Sequence, residues 1–305
     1  MANGMIVMDK PAGWTSMDVC GKLRRLLDER RVGHAGTLDP MATGVLPVFV
    51  GRATRAVEFA ESGDKEYIAG LRLGLETDTQ DSTGQIVAQR PVECVRQELE
   101  AVLPRFRGEI LQVPPMYSAL KRNGKKLYEL ARKGKVVERQ PRPVTISALE
   151  IVSQEGPEHY TLRVGCSKGT YIRTLCHDIG QVLGCGGVMD ALRRTRAAGF
   201  TLSQAVTLEQ VLQAAEEGRA QALLTPVDRL FDRHPALTIG GRAEQLCRNG
   251  NPFPWEGTDG LYRVYGAAGG LFDAGAAGIR ANENGKELFR GSNQLKTVLF
   301  VSIKK

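Results

Sequence analysis

A chain of 305 residues with 42% hydrophobic and 25% charged residues can bury an ordinary core, which excludes a disordered or fibrous protein. No apolar run reaches the roughly 18 residues of a membrane span, and Met1 to Asp9 lacks the basic and apolar regions of a secretory signal, so a cytoplasmic, membrane-free protein is expected. The formal charge of +7 is unevenly placed: nine basic residues between Lys121 and Pro143, Lys125, Lys126, Arg132 and Lys133 among them, face only Glu129 and Glu138. This short stretch carries the whole net charge, as a polyanion contact would, although a solvated basic loop has the same composition.

Six cysteines lie scattered at positions 20, 94, 166, 176, 185 and 247 without a CxxC pair. That spacing fits buried free thiols in a reducing compartment better than a zinc site or a disulfide framework. His177 follows Cys176, but no second ligand pair with metal spacing accompanies it.

In chain order, Met5 to Met8 reads as a strand, followed by a turn through Pro11-Ala12-Gly13. A helix capped by Thr15 or Ser16 comes next, with Val19, Leu23, Leu26 and Leu27 on its apolar face. A Gly-rich loop from Val32 to Gly44 leads into an apolar strand, Val45 to Val50. Residues 65–75 alternate, so Tyr67, Ala69, Leu71, Leu73 and Leu75 share one face of a strand. A polar turn, Thr77 to Gly84, precedes a helix from Val92 to Phe106 with Val95, Leu99, Val102 and Leu103 inward. Beyond the basic segment come strands at about 143–154 and 159–167 and a helix from Thr170 to Leu183, with Ile172, Leu175, Ile179, Val182 and Leu183 at helical spacing.

These strands do not alternate regularly with helices, which argues against a doubly wound parallel sheet. The expectation is an α+β domain with a large mixed, mostly antiparallel sheet flanked by helices. After a helix at 207–217 and the Thr225-Pro226 break, a boundary near Phe231 divides residues 1–231 from a Gly-rich, short-stranded region, 232–305, ending in an apolar stretch from Thr297 to Ile303.

The informative stretch is Gly33-His34-Ala35-Gly36-Thr37-Leu38-Asp39-Pro40-Met41-Ala42-Thr43-Gly44-Val45-Leu46-Pro47. Pro40 fixes its own φ and drives Asp39 towards extended geometry, while the glycines permit turns that other residues resist. Asp-Pro alone marks a turn or a helix cap equally well. Here no amphipathic helix follows, and the loop runs straight into a strand.

This run resembles the signature of the TruB family of tRNA pseudouridine-55 synthases. Three further stretches match in the same order: Asp9-Lys10-Pro11-Ala12-Gly13-Trp14-Thr15-Ser16; Lys65-Glu66-Tyr67 followed by Thr77-Asp78-Thr79-Gln80-Asp81; and Gly169-Thr170-Tyr171-Ile172-Arg173-Thr174-Leu175. Together they span roughly residues 5 to 200. Leu192-Arg193-Arg194-Thr195 resembles a further family stretch, with Thr195 where an apolar residue is expected. Ala35 resembles the stand-alone bacterial enzymes, where guide-RNA-dependent relatives tend to carry serine.

The resemblance implies a pseudouridine synthase catalytic domain over 1–231 and a small β-rich PUA-like domain, a candidate RNA contact, over 232–305. It implies a uridine in the T arm of tRNA as substrate, at position 55. Such chemistry breaks the C1′–N1 bond, turns the base and joins C1′ to C5; nothing is oxidised or brought in, so no cofactor, metal or protein partner is expected. Asp39 is then the nucleophile. Arg173 is the cation that keeps it ionised against burial. Tyr67 stacks on the base, and its hydroxyl is suited to help remove the C5 proton. Flipping the base out costs a few kcal/mol and leaves a gap that His34 is placed to fill. Lys10 and Asp78 are motif residues supporting the site, and Leu192 is an apolar wall of the base pocket. Lys125, Lys126, Arg132 and Lys133 are the expected phosphate contacts. Competing readings are a synthase acting on another RNA, a non-catalytic RNA-binding or RNA-folding protein on the same scaffold, and a hydrolase using Asp39, which the lack of any phosphatase-like motif disfavours.

Overall fold

The computed structural model describes residues 2–61, 63–122, 124–249, 251, 253 and 262–267. Strand β1 (Gly4–Lys10) is followed by helix α1 (Ser16–Leu26), whose cap is a reciprocal box: Thr15 accepts from the Asp18 amide and Asp18 accepts from the Thr15 amide. Within the expected Gly-rich loop, Val32–His34 forms a short strand, β2, paired with β3 (Thr43–Val50). After α2 (Val57–Glu61), strand β4 (Lys65–Leu73) alternates as expected, with Tyr67, Ala69, Leu71 and Leu73 buried. β5 (Leu75–Thr77) and β6 (Ile86–Gln89) form a separate hairpin around the polar turn.

Helix α3 (Arg96–Val102) is shorter than expected: its last turn, Leu103–Phe106, tightens to 3-10 geometry. Val95 therefore sits before the helix and is exposed, not inward, while Leu99, Val102 and Leu103 are buried. β7 (Gly108–Gln112) leads to the basic segment, which folds as a two-strand turn, β8 (Lys121–Arg122) with β9 (Lys125–Lys126), and a short helix, α4 (Leu127–Ala131). β10 (Arg142–Glu155) and β11 (His159–Cys166) form a long hairpin. α5 (Ile172–Leu183) begins two residues later than expected and buries Ile172, Leu175 and Ile179, but leaves Val182 exposed.

Strand β12 (Gly187–Ala197), followed by β13 (Phe200–Thr201), organises the whole sheet. The strand order is β1-β3-β12-β4-β11-β10-β7, with β2 beside β3 and β13 beside β12; only the β12–β3 pairing is parallel. This is the expected mixed, mostly antiparallel sheet of an α+β fold. One face buries Met8, Leu46, Leu71, Leu162 and Val164 with Val19 and Leu23 of α1 and Leu175 and Ile179 of α5. On the other face a smaller cluster joins Met5, Val7, Val45, Phe49, Phe200 and Val227, leaving the β4–β11–β12 surface polar. Thr195, the departure noted above, lies on that polar surface and donates to Glu66 Oε1 at 2.8 Å.

α6 (Leu208–Glu216) follows, capped by Thr207. In the C-terminal region β14 (Ala236–Ile239) pairs in parallel with β15 (Arg263–Gly266) beside α7 (Gly241–Arg248), around Leu237, Ile239, Cys247, Phe253 and Val264. The other strands expected of a PUA-like module, with Thr297 to Ile303, lie outside the described residues. Among the described residues no helix is long and apolar enough to cross a membrane.

Candidate active site

The loop between β2 and β3 carries Asp39, and two anchors hold it. Ser16 Oγ, in the first turn of α1, accepts from the Leu38 amide (2.9 Å) and donates to the Leu38 carbonyl (3.2 Å). Lys10, fully buried at the end of β1, donates from Nζ to the carbonyls of Pro11, Trp14 and Pro40 at 2.9, 2.6 and 3.2 Å. Burial pulls its pKa down to about 8, with Asp39 opposing and Arg194 adding to the fall. Lys10 thus uses all three N–H donors on backbone, one of them at the residue after Asp39.

The Asp39 carboxylate meets Arg173 in the first turn of α5. Nε lies 2.9 Å from Oδ2, and Nη2 donates to Oδ1 at 3.4 Å. Arg173 is buried and further held by the carbonyls of Thr79 (3.1 Å from Nη1) and Tyr117 (2.8 Å from Nη2). Buried Asp81 approaches Nε at 3.8 Å, so one guanidinium faces two carboxylates. These anions offset the penalty of a cation at a helix N-terminus. Burial pushes the Asp39 carboxyl above the usual range; Arg173 and Lys10 draw it back, and Asp81 acts with burial. The cation limits the rise without reversing it.

Tyr67 is buried on β4 across the strand pair from Arg194. Burial raises its phenol pKa and Arg194 opposes that rise, so the hydroxyl is protonated at neutral pH. His34, half-buried on β2, has an Nδ1 with no hydrogen-bond partner among the described residues; burial and then Arg194 lower its pKa, which leaves a neutral ring. Leu192 is buried in the main core beside Ala69. It also lines a cavity of about 680 Å³ with Met41, Thr43, Ser82 and Arg193. Asp39, Tyr67 and Arg173 do not line that cavity.

Asp78 is exposed and does not touch Arg173; it accepts from the Gln85 amide (2.8 Å) and the Tyr117 hydroxyl (3.3 Å). The residue that reaches Arg173 is Asp81, three positions on in the same polar turn, where sequence alone does not separate its role from that of Asp78. Lys125, Lys126, Arg132 and Lys133 belong to the β8–β9–α4 excursion, whose root is tied to the site because Tyr117 also contacts Arg173. Lys126 Nζ and the Arg132 guanidinium stand 5.4 and 5.3 Å from the Tyr128 ring centroid. Among the described residues, none of the nine cations of this segment forms an ion pair with a carboxylate. All six cysteines are free, and no His, Cys, Asp and Glu group among the described residues is placed to hold a metal.

A mixed sheet thus presents a loop-borne aspartate to a helix-borne arginine, and the comparisons with known proteins show which class of enzyme carries this fold. Two family models match consecutively: the TruB family pseudouridylate synthase N-terminal domain over residues 24–172 and the tRNA pseudouridylate synthase B C-terminal domain over 173–232. The tRNA pseudouridine synthase B of Stutzerimonas stutzeri is 49% identical over 253 residues, 82% of this chain and 83% of that protein. That of Ralstonia nicotianae is 45% identical over 291 residues, 93% and 91% of the two chains. Among solved structures, a Cbf5-Nop10-Gar1 complex matches with a TM-score of 0.68 at 28% identity, covering 91% of this chain and 78% of that one. The chain belongs to the TruB family of pseudouridine synthases and is an enzyme of the isomerase class. Asp39 and Tyr67 fall in the first matched region and Arg173, Leu192 and Arg194 in the second, so the candidate site draws on both halves of the match.

Proposed function

We propose that this protein isomerises a uridine in the T arm of tRNA, at position 55, to pseudouridine, with Asp39 as nucleophile and no cofactor. The observation that carries the reading is the Asp39–Arg173 pair at 2.9 Å, on a loop pinned by Lys10 and Ser16. A carboxylate that adds to the base or captures C1′ must be ionised and must later leave. Arg173 favours the ionised form in a site where burial opposes it. Buried Tyr67 offers a ring for the flipped base and a hydroxyl for proton handling at C5. His34, neutral and planar, suits the gap left in the RNA arm. Lys125, Lys126, Arg132 and Lys133, which pair with no carboxylate among the described residues, suit phosphate contact.

The test is incubation with unmodified tRNA transcript, followed by single-nucleotide mapping of pseudouridine. Modification at position 55 by the wild type, absent with Asp39→Asn, is the expected result. Modification elsewhere, or in another RNA only, shifts the substrate assignment; appreciable turnover by Asp39→Asn removes Asp39 as nucleophile.

A further inference from the structure

Arg194 is fully buried in the middle of β12, and no carboxylate among the described residues forms an ion pair with it. A buried cation without a counter-charge is costly, so its surroundings identify what it serves. Nε donates to the Val45 carbonyl at 2.7 Å and Nη2 to the Gly36 carbonyl at 2.9 Å. Gly36 and Val45 lie on either side of the Asp39 loop, so one planar guanidinium bridges both ends of the segment that presents the nucleophile. The backbone closes the same contact: Arg194 pairs with Gly44, where a Cβ would come within 2.2 Å of the Arg194 carbonyl oxygen. At Gly36, φ is +76° and a Cβ would stand 3.2 Å from Nη1.

The third nitrogen, Nη1, is buried and, among the described residues, makes no hydrogen bond of good geometry. Arg194 is also the cross-strand neighbour of Tyr67. After burial, Arg194 is the strongest influence on the Tyr67 hydroxyl, and it acts against the more distant Asp39. A guanidinium suits this position because its rigid planar fork sends N–H groups from separate nitrogens to two carbonyls and keeps a further N–H and its charge beside a third group, whereas an ammonium must direct all its donors from a single nitrogen.

We infer that Arg194 is a positioning residue for the isomerisation, clamping both ends of the Asp39 loop and holding a buried positive charge beside the Tyr67 hydroxyl. It acts through Asp39 and Tyr67 and does not itself touch the substrate. The inference rests on Asp39 being the nucleophile.

The experiment compares wild type, Arg194→Lys, Arg194→Met and Asp39→Asn by single-turnover kinetics on tRNA, tRNA binding and amide hydrogen exchange. Expected for Arg194→Lys is a fall in the single-turnover rate of at least tenfold, and for Arg194→Met at least a hundredfold, with tRNA affinity within threefold of wild type. Exchange should rise for the amides of Ala35 and Ala42 and stay unchanged in the β10–β11 hairpin. If Arg194→Met does not fold, Arg194→Lys and Gly36→Ala carry the test. Gly36→Ala crowds Nη1 from the loop side and should show the same rate loss with intact β10–β11 protection. Wild-type rates in a folded Arg194→Lys and Gly36→Ala, or rate loss without faster loop exchange, overturn the inference. Inactive Asp39→Asn beside fully active Arg194→Lys sinks this proposal alone, whereas active Asp39→Asn sinks the reading beneath it.

Discussion

Asp39 is governed by competition between burial and charge. Asp39→Asn keeps shape and hydrogen-bonding capacity but removes the attacking charge, so turnover should vanish while tRNA affinity stays within a few-fold. Arg173→Ala should lose activity and also stability, because it leaves Asp39 and Asp81 facing each other without their cation. The cost should be about 1–3 kcal/mol in chemical denaturation, below the figure for a fully buried pair because the Asp39 side chain is 35% exposed. An Arg173→Ala protein as stable as wild type would show that the pair is electrostatically idle. Protonation gives a second check. Since the Asp39 pKa is raised and the nucleophile must be ionised, the rate should fall as pH drops through a value above about 4, the ordinary carboxyl. Removing Arg173 removes a lowering influence, so any residual activity should require higher pH. Single-turnover rates between pH 4 and 8 measure both limbs; a wild-type limb at or below the ordinary value contradicts the assigned balance.

Among the elements, the β8–β9–α4 excursion has a chemistry of its own. Of the nine cations between Lys121 and Pro143, eight lie on it and Arg142 opens β10; none is ion-paired among the described residues, and the excursion roots beside Arg173 through Tyr117. Surface cations not neutralised by a carboxylate are free to displace counterions from phosphates, and each contact steepens the salt dependence of binding. Reversing the charge of Lys125, Lys126, Arg132 and Lys133 should therefore weaken tRNA binding and flatten log affinity against log salt by several units of slope. The fold should survive, because these side chains are exposed or half-buried and the core lies elsewhere. An unaltered slope would reduce the segment to a solvated loop.

At the scale of the whole molecule, the site is assembled where β3, β4, β12 and the start of α5 converge, and the substrate must bring a single base into it. A base already unstacked in a shaped arm is cheaper to extrude than one in a regular duplex, whose A-form major groove admits no side chains. An isolated T-arm stem-loop should thus be converted, and a perfect duplex containing the same uridine should not; equal turnover of both would remove the role proposed for His34. Much of this was legible in the chain itself. Apolar alternation marked β4, periodicity marked α1 and α5, and the Asp39-Pro40 loop stood out because proline and glycine constrain the backbone locally. Those are short-range effects, carried by neighbours in sequence. Three things depended on long-range placement. β12 was not assigned as a strand, since paired arginines interrupt its pattern, yet it joins the two halves of the sheet. Asp81 was passed over for Asp78 because two acids in one polar turn look alike until Arg173 is placed between Thr79 and Tyr117. Arg194 stands beside Arg193 in a stretch that gives no sign of which arginine is buried; only the pairing of β12 with both β3 and β4 buries it, because burial is set by what packs from elsewhere in the chain and not by the residue's own type.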